Sequence, residues 1–161
     1  MLETLLLAVL GSPEPQVTTI EARAASSAWF LPATVQVGEK EYDGNSLYRG
    51  EHFSKRHDDE RQCVRDRESN NRYNAVSASG TYRGAYQFSP ELAVGAAWMI
   101  QKDLRKNGME KEVAQDFGES LRETPMNKWH PFWQDYAFWI VWDDGEGKNH
   151  WRHTVPGTAC F

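Results

Sequence analysis

Cysteine is scarce in this chain, which has two in 161 residues, Cys63 and Cys160. With no CxxC pair and no dense Cys/His spacing, a zinc centre is not expected, and a single intramolecular bridge is the most that cystine chemistry can supply. Two free buried thiols are the alternative. Long apolar runs are also missing. Residues 5–10 (LLLAVL) and the aromatic run ending at Trp142 are far shorter than the roughly 20 residues needed to cross a bilayer, so no integral membrane segment is expected. Net positive charge is absent as well. Eighteen Lys and Arg against 23 Asp and Glu leave −5, with a pI near 5.5, so no global field draws the chain onto phosphate backbones and nucleic acid is not an expected partner. Apolar residues make up only 40% and mean hydropathy is −0.70. A chain of this length holds one ordinary domain, and here some of it must lie outside the core.

What the chain has in quantity is aromatic surface, 12% of residues with seven Trp. Trp serves either as core filler or as a flat platform for sugars, bases or apolar partners. Residues 5–10 resemble a short signal-peptide core, and Ala22, Arg23 and Ala24 fit a small-x-small cleavage pattern. Against export, Glu3 stands where a positive region belongs and Pro13, Glu14 and Pro15 follow closely, so a frayed amphipathic start remains the other reading. Residues 12–55 show no sustained period and are punctuated by Pro13, Pro15, Pro32, Gly38, Gly44 and Gly50. The division that follows is leader and linker over 1–55 and one domain over 56–161.

Within that domain the patterns are mostly helical. A charged stretch over 55–68 lacks Gly and Pro and ends at Asn70 and Asn71, which tolerate the left-handed conformation. A helix ending near Glu68, with Cys63 and Val64 inward, is expected. Residues 82–88 alternate large and small side chains, as a short strand or hairpin arm does. Ser89, Pro90 and Glu91 form a helix start, and Ala93, Ala96, Ala97, Ile100 and Leu104 continue it as a stripe to Lys106, before Asn107 and Gly108. Val113, Phe117 and Leu121 mark a shorter helix before Pro125. After Pro131 the run holding Phe132, Trp133, Tyr136, Phe138, Trp139 and Trp142 is apolar almost all round, which marks a central buried helix. There are no internal repeats.

The chemistry is concentrated in residues 63–88, CVRDRESNNRYNAVSASGTYRGAYQF. A helix ends in Glu-Ser, a small-residue segment containing a Ser follows, and a Gly-x-x-Gln element closes the stretch. This pattern resembles the lysozyme-like superfamily, specifically lytic transglycosylases and the related resuscitation-promoting-factor domains of actinobacteria. Glu68, Ser69, Ser77, Gly84 and Gln87 stand at the matching places; Tyr86 stands where the transglycosylase pattern usually has Met. The ending WIVWDDGEGKNHWRHTVPGTAC is similar to the aromatic, Gly-containing, terminal-Cys segment of the actinobacterial relatives. The resemblance covers roughly residues 57–161 and implies a mainly α, lysozyme-like α+β fold with a short β-hairpin or extended element beside a cleft. It also implies a Cys63–Cys160 bridge, a peptidoglycan glycan strand as partner, a monomeric enzyme without cofactor, and an extracellular or wall-associated site of action. A phage virion or lysis protein is the alternative location.

By that resemblance Glu68 is the general acid and then base, Ser77 hydrogen-bonds Glu68 or the substrate, Gln87 binds an N-acetyl sugar, Tyr86 lines the cleft, and Gly84 lets backbone approach the glycan. Taken alone, a Glu at a helix end reads as a solvated surface residue, and it is the surrounding motif that turns the reading toward catalysis; the chemistry then suits the position. Breaking a glycosidic bond requires protonating a poor leaving group, and a carboxyl at a helix C-terminus among aromatics is held neutral by the macrodipole and by desolvation. Arg65 and Arg67 oppose this if their charges approach. Most glycosidases use two carboxylates. Asp66 points elsewhere on the helix, and Asp143 and Asp144 are better placed but read first as surface loop acids. A single Glu suits transglycosylation, in which the muramic acid's own hydroxyl attacks. A muramidase assisted by Asp143 or Asp144 is the competing enzyme, and a sugar-binding or virion-assembly module is the competing non-enzyme. Trp98, Trp139, Trp142 and Trp151 read as core, with Trp142 the best cleft candidate. His150 and His153 lack a third metal ligand, and residues 143–148 fail the calcium-loop pattern because Gly145 and Gly147 occupy ligand positions.

Overall fold

A computed structural model of the protein describes residues 44–153 and 157–161. The leader features expected at residues 5–10 and 22–24 lie outside the described residues. The architecture is mainly helical: α1 (Asp58–Ser69), α2 (Pro90–Lys106), α3 (Lys111–Glu123) and α4 (Pro131–Trp142). Short 3₁₀ turns precede α1 at Lys55–His57 and α4 at Met126–Lys128, and a longer one, Asp143–Trp151, follows α4.

α4 is the axis of the molecule. Every residue of it except Phe132 is buried, and α2 packs along it while α3 packs on α2. Its ring-rich sides fill the core with Trp133, Phe138, Trp139 and Trp142. Each fully buried Trp removes roughly 200 Å² from water, on the order of 5 kcal/mol of transfer free energy, so this helix supplies much of the drive to fold. The helix begins where the imidazole of His130 accepts a hydrogen bond from Phe132 N (3.1 Å), with Pro131 in the first helical position.

The sequence signals for α2 hold at both ends. Ser89 Oγ accepts from Leu92 N at 3.2 Å, the stripe from Ala93 to Leu104 is buried, and Gly108 at φ +95° lets Met109 N reach Leu104 O at 3.0 Å. α1 ends similarly, with Asn70 and Asn71 both left-handed and Asn71 N on Arg65 O. Two positions on the expected inner faces are turned out. Cys63 and Val113 are exposed, while Val64 on α1 and Leu121 on α3 are buried as expected, the latter with Ala114 and Gly118.

Residues 82–88 depart from the regular alternation expected of them, and with residues 75–81 they make a compact lobe. They form isolated antiparallel bridges, Val76 with Arg83 and Arg83 with Phe88, so two chain reversals share Arg83. Positive φ at Gly84 (+80°) and Gln87 (+49°) breaks the extended period, and Gly84, Ala85 and Tyr86 are buried in succession. No longer strand occurs among the described residues.

Residues 44–54, read from the sequence as linker, are seated in the helical body. Leu47 N donates to Asp135 Oδ2 (2.7 Å), Tyr48 stacks on Tyr136 with ring centroids 4.0 Å apart, and Phe53 meets Trp139 edge-on. Gly44, at φ +98°, and Gly50, whose carbonyl accepts from Phe53 N, stand at turns here, and a turn signal in a sequence says nothing about whether the turn packs on the core. Cys63 and Cys160 lie at disulfide distance, their Cα atoms 5.6 Å apart across a sequence separation of 97.

Candidate functional site

Glu68 sits in the closing turn of α1, whose inward face is held in place by charge. Arg61 and Arg65, four apart on that face, are both fully buried. Each reaches Asp135 of α4 through a tyrosine: Arg61 Nη1 donates to Tyr86 Oη (3.0 Å) and Arg65 Nη1 to Tyr73 Oη (2.8 Å), and both tyrosine hydroxyls donate to Asp135 Oδ1 at 2.6 and 2.7 Å. Burial pushes the Asp135 carboxyl up, while the Arg61 charge and its hydrogen-bond donors pull it back. Burial, reinforced by the Asp135 charge, raises both tyrosines well above the phenol range, so they remain neutral donors. Beside this network Gln134 Oε1 accepts from Ala85 N (2.8 Å), and Gln134 Nε2 donates to Tyr73 O and Trp129 O, which fixes the 75–88 lobe to α4.

The Glu68 side chain is 16% exposed. Its Oε1 accepts from Arg67 Nη2 and Nε at 2.8 and 3.1 Å and stands 3.1 Å from His153 Nε2, so the approach of Arg67 that the sequence left open does occur. Arg67 also donates to Trp151 O (2.6 Å) and Thr158 O (2.9 Å), and thereby holds the C-terminal segment against α1. His153 is a site residue that sequence reasoning missed. Nothing in its local sequence points to Glu68, because the pair is made by the return of the C-terminal segment to α1.

Several sequence-assigned site residues have other duties. Ser69 is buried, with its hydroxyl donating to Arg65 O and accepting from Arg72 N, and so finishes the helix. Ser77 bonds Ser79 and accepts from Tyr82 N; it makes no bond to Glu68 among the described residues and acts as a turn residue. Tyr86 is 1% exposed and belongs to the buried network, so it does not line a cleft. Trp142, also 1% exposed, stacks on Phe138 in the core and cannot offer a face to a sugar. At Gly84 an added Cβ would strike Gln134 Oε1 and Met126 Cγ, so its small size serves packing of the lobe on α4. Gln87 is brought onto the same turn, with its Nε2 on Gly84 O at 2.9 Å, and it holds a left-handed backbone that a non-glycine residue rarely adopts.

The remaining acids lie elsewhere. Asp144 is 70% exposed, accepts from Arg56 with both oxygens at 3.0 Å, and stands 3.5 Å from His57, at the start of α1. Among the described residues one group has the donors to hold a metal ion: Glu51, His52 and Asp103, with ligand atoms within 4.8 Å of one another. Two of the three are engaged, since Lys106 pairs with Glu51 and Tyr136 and Asn107 donate to Asp103, whereas His52 Nε2, buried and 3.2 Å from Asp103 Oδ2, makes no hydrogen bond among the described residues. The Lys106–Glu51 pair ties residue 51 to α2. The three clefts described on the surface are lined by residues of α2, α3, the segments joining them to their neighbours, and the 83–90 turn, and Glu68 lines none of them. Among the described residues no helix is long and apolar enough to cross a membrane. Comparison with known proteins yields no relative: no family model, no curated protein and no solved structure matches the chain.

Proposed function

We propose that the chain cleaves peptidoglycan glycan strands at the β-1,4 bond between MurNAc and GlcNAc as a lytic transglycosylase, with Glu68 as its single acid and base. The observation that carries this reading is the setting of that carboxyl. It stands in the closing turn of an internally braced helix, at the Glu of the Glu-Ser motif, mostly shielded, with its described charged partners on Oε1. In the first half of the cycle the carboxyl gives its proton to the glycosidic oxygen as the C1–O bond breaks, and GlcNAc leaves as the alcohol. In the second half the carboxylate takes the proton of the MurNAc C6 hydroxyl as that oxygen bonds to C1, which closes the anhydro ring. Arg67 and His153 stand against the carboxylate while it carries charge between the two halves.

Two further observations bear on this reading. Asp144 is tied to the start of α1 and Glu68 is in its last turn, about 15 Å away along the axis. Paired catalytic carboxyls stand roughly 5–9.5 Å apart, so Asp144 is a poor helper. Gln87, at the place of the family's sugar-binding Gln, keeps a strained backbone, a feature that clusters at functional positions. Such a substrate puts the protein outside the membrane at the wall, where an oxidised cysteine pair persists.

The test is digestion of purified cell walls with analysis of the released sugars. Glu68→Gln is expected to lower the rate about a hundredfold or more, and wild-type products are expected to carry anhydro ends. Unchanged lysis by Glu68→Gln overturns the assignment, and reducing ends alone replace the transglycosylase with a hydrolase.

A further inference from the structure

Among the described tryptophans, Trp98 is the one that the fold leaves in the open. It is 53% exposed, whereas the other five described tryptophans are 3% exposed or less. Its setting is built. The Arg122 guanidinium of α3 lies over the indole at 3.7 Å from the ring centroid, and Arg122 Nη1 is itself fixed by Gln101 Oε1 at 2.7 Å. Gln101 in turn rests against Gly118, where any added Cβ would collide with it, so the close approach of α2 and α3 holds the trio. A rigid indole backed by a cation on one face loses little freedom on binding at its other face.

Arg122 borders the cleft on the α3 side of the ring. A second cleft, of about 640 Å³, is lined by Trp98 together with Lys102, Arg105, Lys106 and Lys111 and the single acid Glu110, and Arg122 is not part of it. Lys106 is held by Glu51, which leaves Lys102, Arg105 and Lys111 to meet a ligand. In a chain of net charge −5 this is a locally basic groove. Its volume suits one or a few sugar rings. The ligand that matches must offer a C–H face to the indole and a negative charge a few ångströms away, the chemistry of an amino-sugar strand bearing carboxylates.

We propose that Trp98 and the groove of Lys102, Arg105 and Lys111 form a second, non-catalytic site for an acidic glycan. The identity of that glycan as a MurNAc-containing strand rests on the reading of Glu68 above; the site itself does not, because Glu68 lines neither cleft. It grips the strand away from the bond that is cut and keeps the enzyme on the polymer.

The experiment uses the full chain carrying Glu68→Gln, so that the probe survives. Peptide-free GlcNAc–MurNAc tetrasaccharide is titrated while the Trp98 indole N–H resonance, identified by its loss in Trp98→Phe, is followed by NMR. The expected result is a saturable shift at Trp98, and cosedimentation with purified walls weakened roughly tenfold by Trp98→Ala and also by the surface double change Lys102→Glu, Arg105→Glu. An unmoved Trp98 resonance overturns the site. So does an equal shift with neutral chitotetraose, which removes the role of the basic groove, or a shift with single-stranded oligonucleotide alone. A shifted Trp98 beside a wild-type protein that cuts no wall refutes the catalytic reading and leaves this site standing, and the converse refutes this site alone.

Discussion

Tyr86 occupies a motif position and a core position at once, and the core decides its role. Its hydroxyl stands between the Arg61 guanidinium and the Asp135 carboxylate, and burial with the Asp135 charge keeps it protonated far above the phenol range. Tyr86→Phe therefore strands a donor of Arg61 and takes one from Asp135, at a cost of about 1–3 kcal/mol in urea unfolding. On the proposed activity, the KM for wall digestion is expected to stay as it is; a raised KM at unchanged stability would make Tyr86 a substrate contact. The partners were partly legible. Gln134 and Asp135 are the polar residues in an otherwise apolar helix, and a buried polar group requires a partner. Which side chains supplied that partner depended on contacts between segments far apart in the chain.

Among the elements, α2 and α4 were readable because caps and stripes are local, and α4 carries its cap in a titratable form. Burial lowers His130 from its ordinary 6.5, and its Nδ1 accepts from Phe132 N, which only the neutral ring can do. As pH falls through about 6.5 the unfolded chain takes up a proton that folded His130 resists, so this contribution is present above that pH and lost below it. His130→Asn keeps a cap without a titration. Urea unfolding at pH 8 and pH 5 is expected to show wild type losing more stability on acidification than His130→Asn, by about 1 kcal/mol. Equal losses remove His130 from the account. The inner face of α1 was not readable by the same means, because its buried residues include Arg61 and Arg65, and hydrophobic periodicity does not register a buried cation.

For the molecule as a whole, the C-terminal segment is tied to α1 by three independent kinds of contact: the Cys63–Cys160 pair, the Arg67 hydrogen bonds to Trp151 O and Thr158 O, and the His153–Glu68 pair. A bridge across a separation of 97 limits the unfolded chain and contributes about 2–5 kcal/mol. Cys160→Ser is expected to lower Tm by roughly 10 °C and to speed amide exchange over residues 157–161. A Tm unaffected by the substitution and by reductant would show that no bridge forms in the isolated protein.

Helix positions, the Glu68 turn with its two left-handed asparagines, and the aromatic identity of the central helix could all be read from the order of residues, because each depends on neighbours within a few positions. The pairing of the two cysteines came from resemblance, and the geometry agrees with it. Other features needed the folded chain: residues 44–54 lying on the core, Trp98 facing solvent while Trp142 does not, and His153 meeting Glu68. Exposure and pairing of this kind are set by which surfaces meet after α1, α2 and the C-terminal segment close around α4, and the free energy of those meetings belongs to no single stretch of sequence.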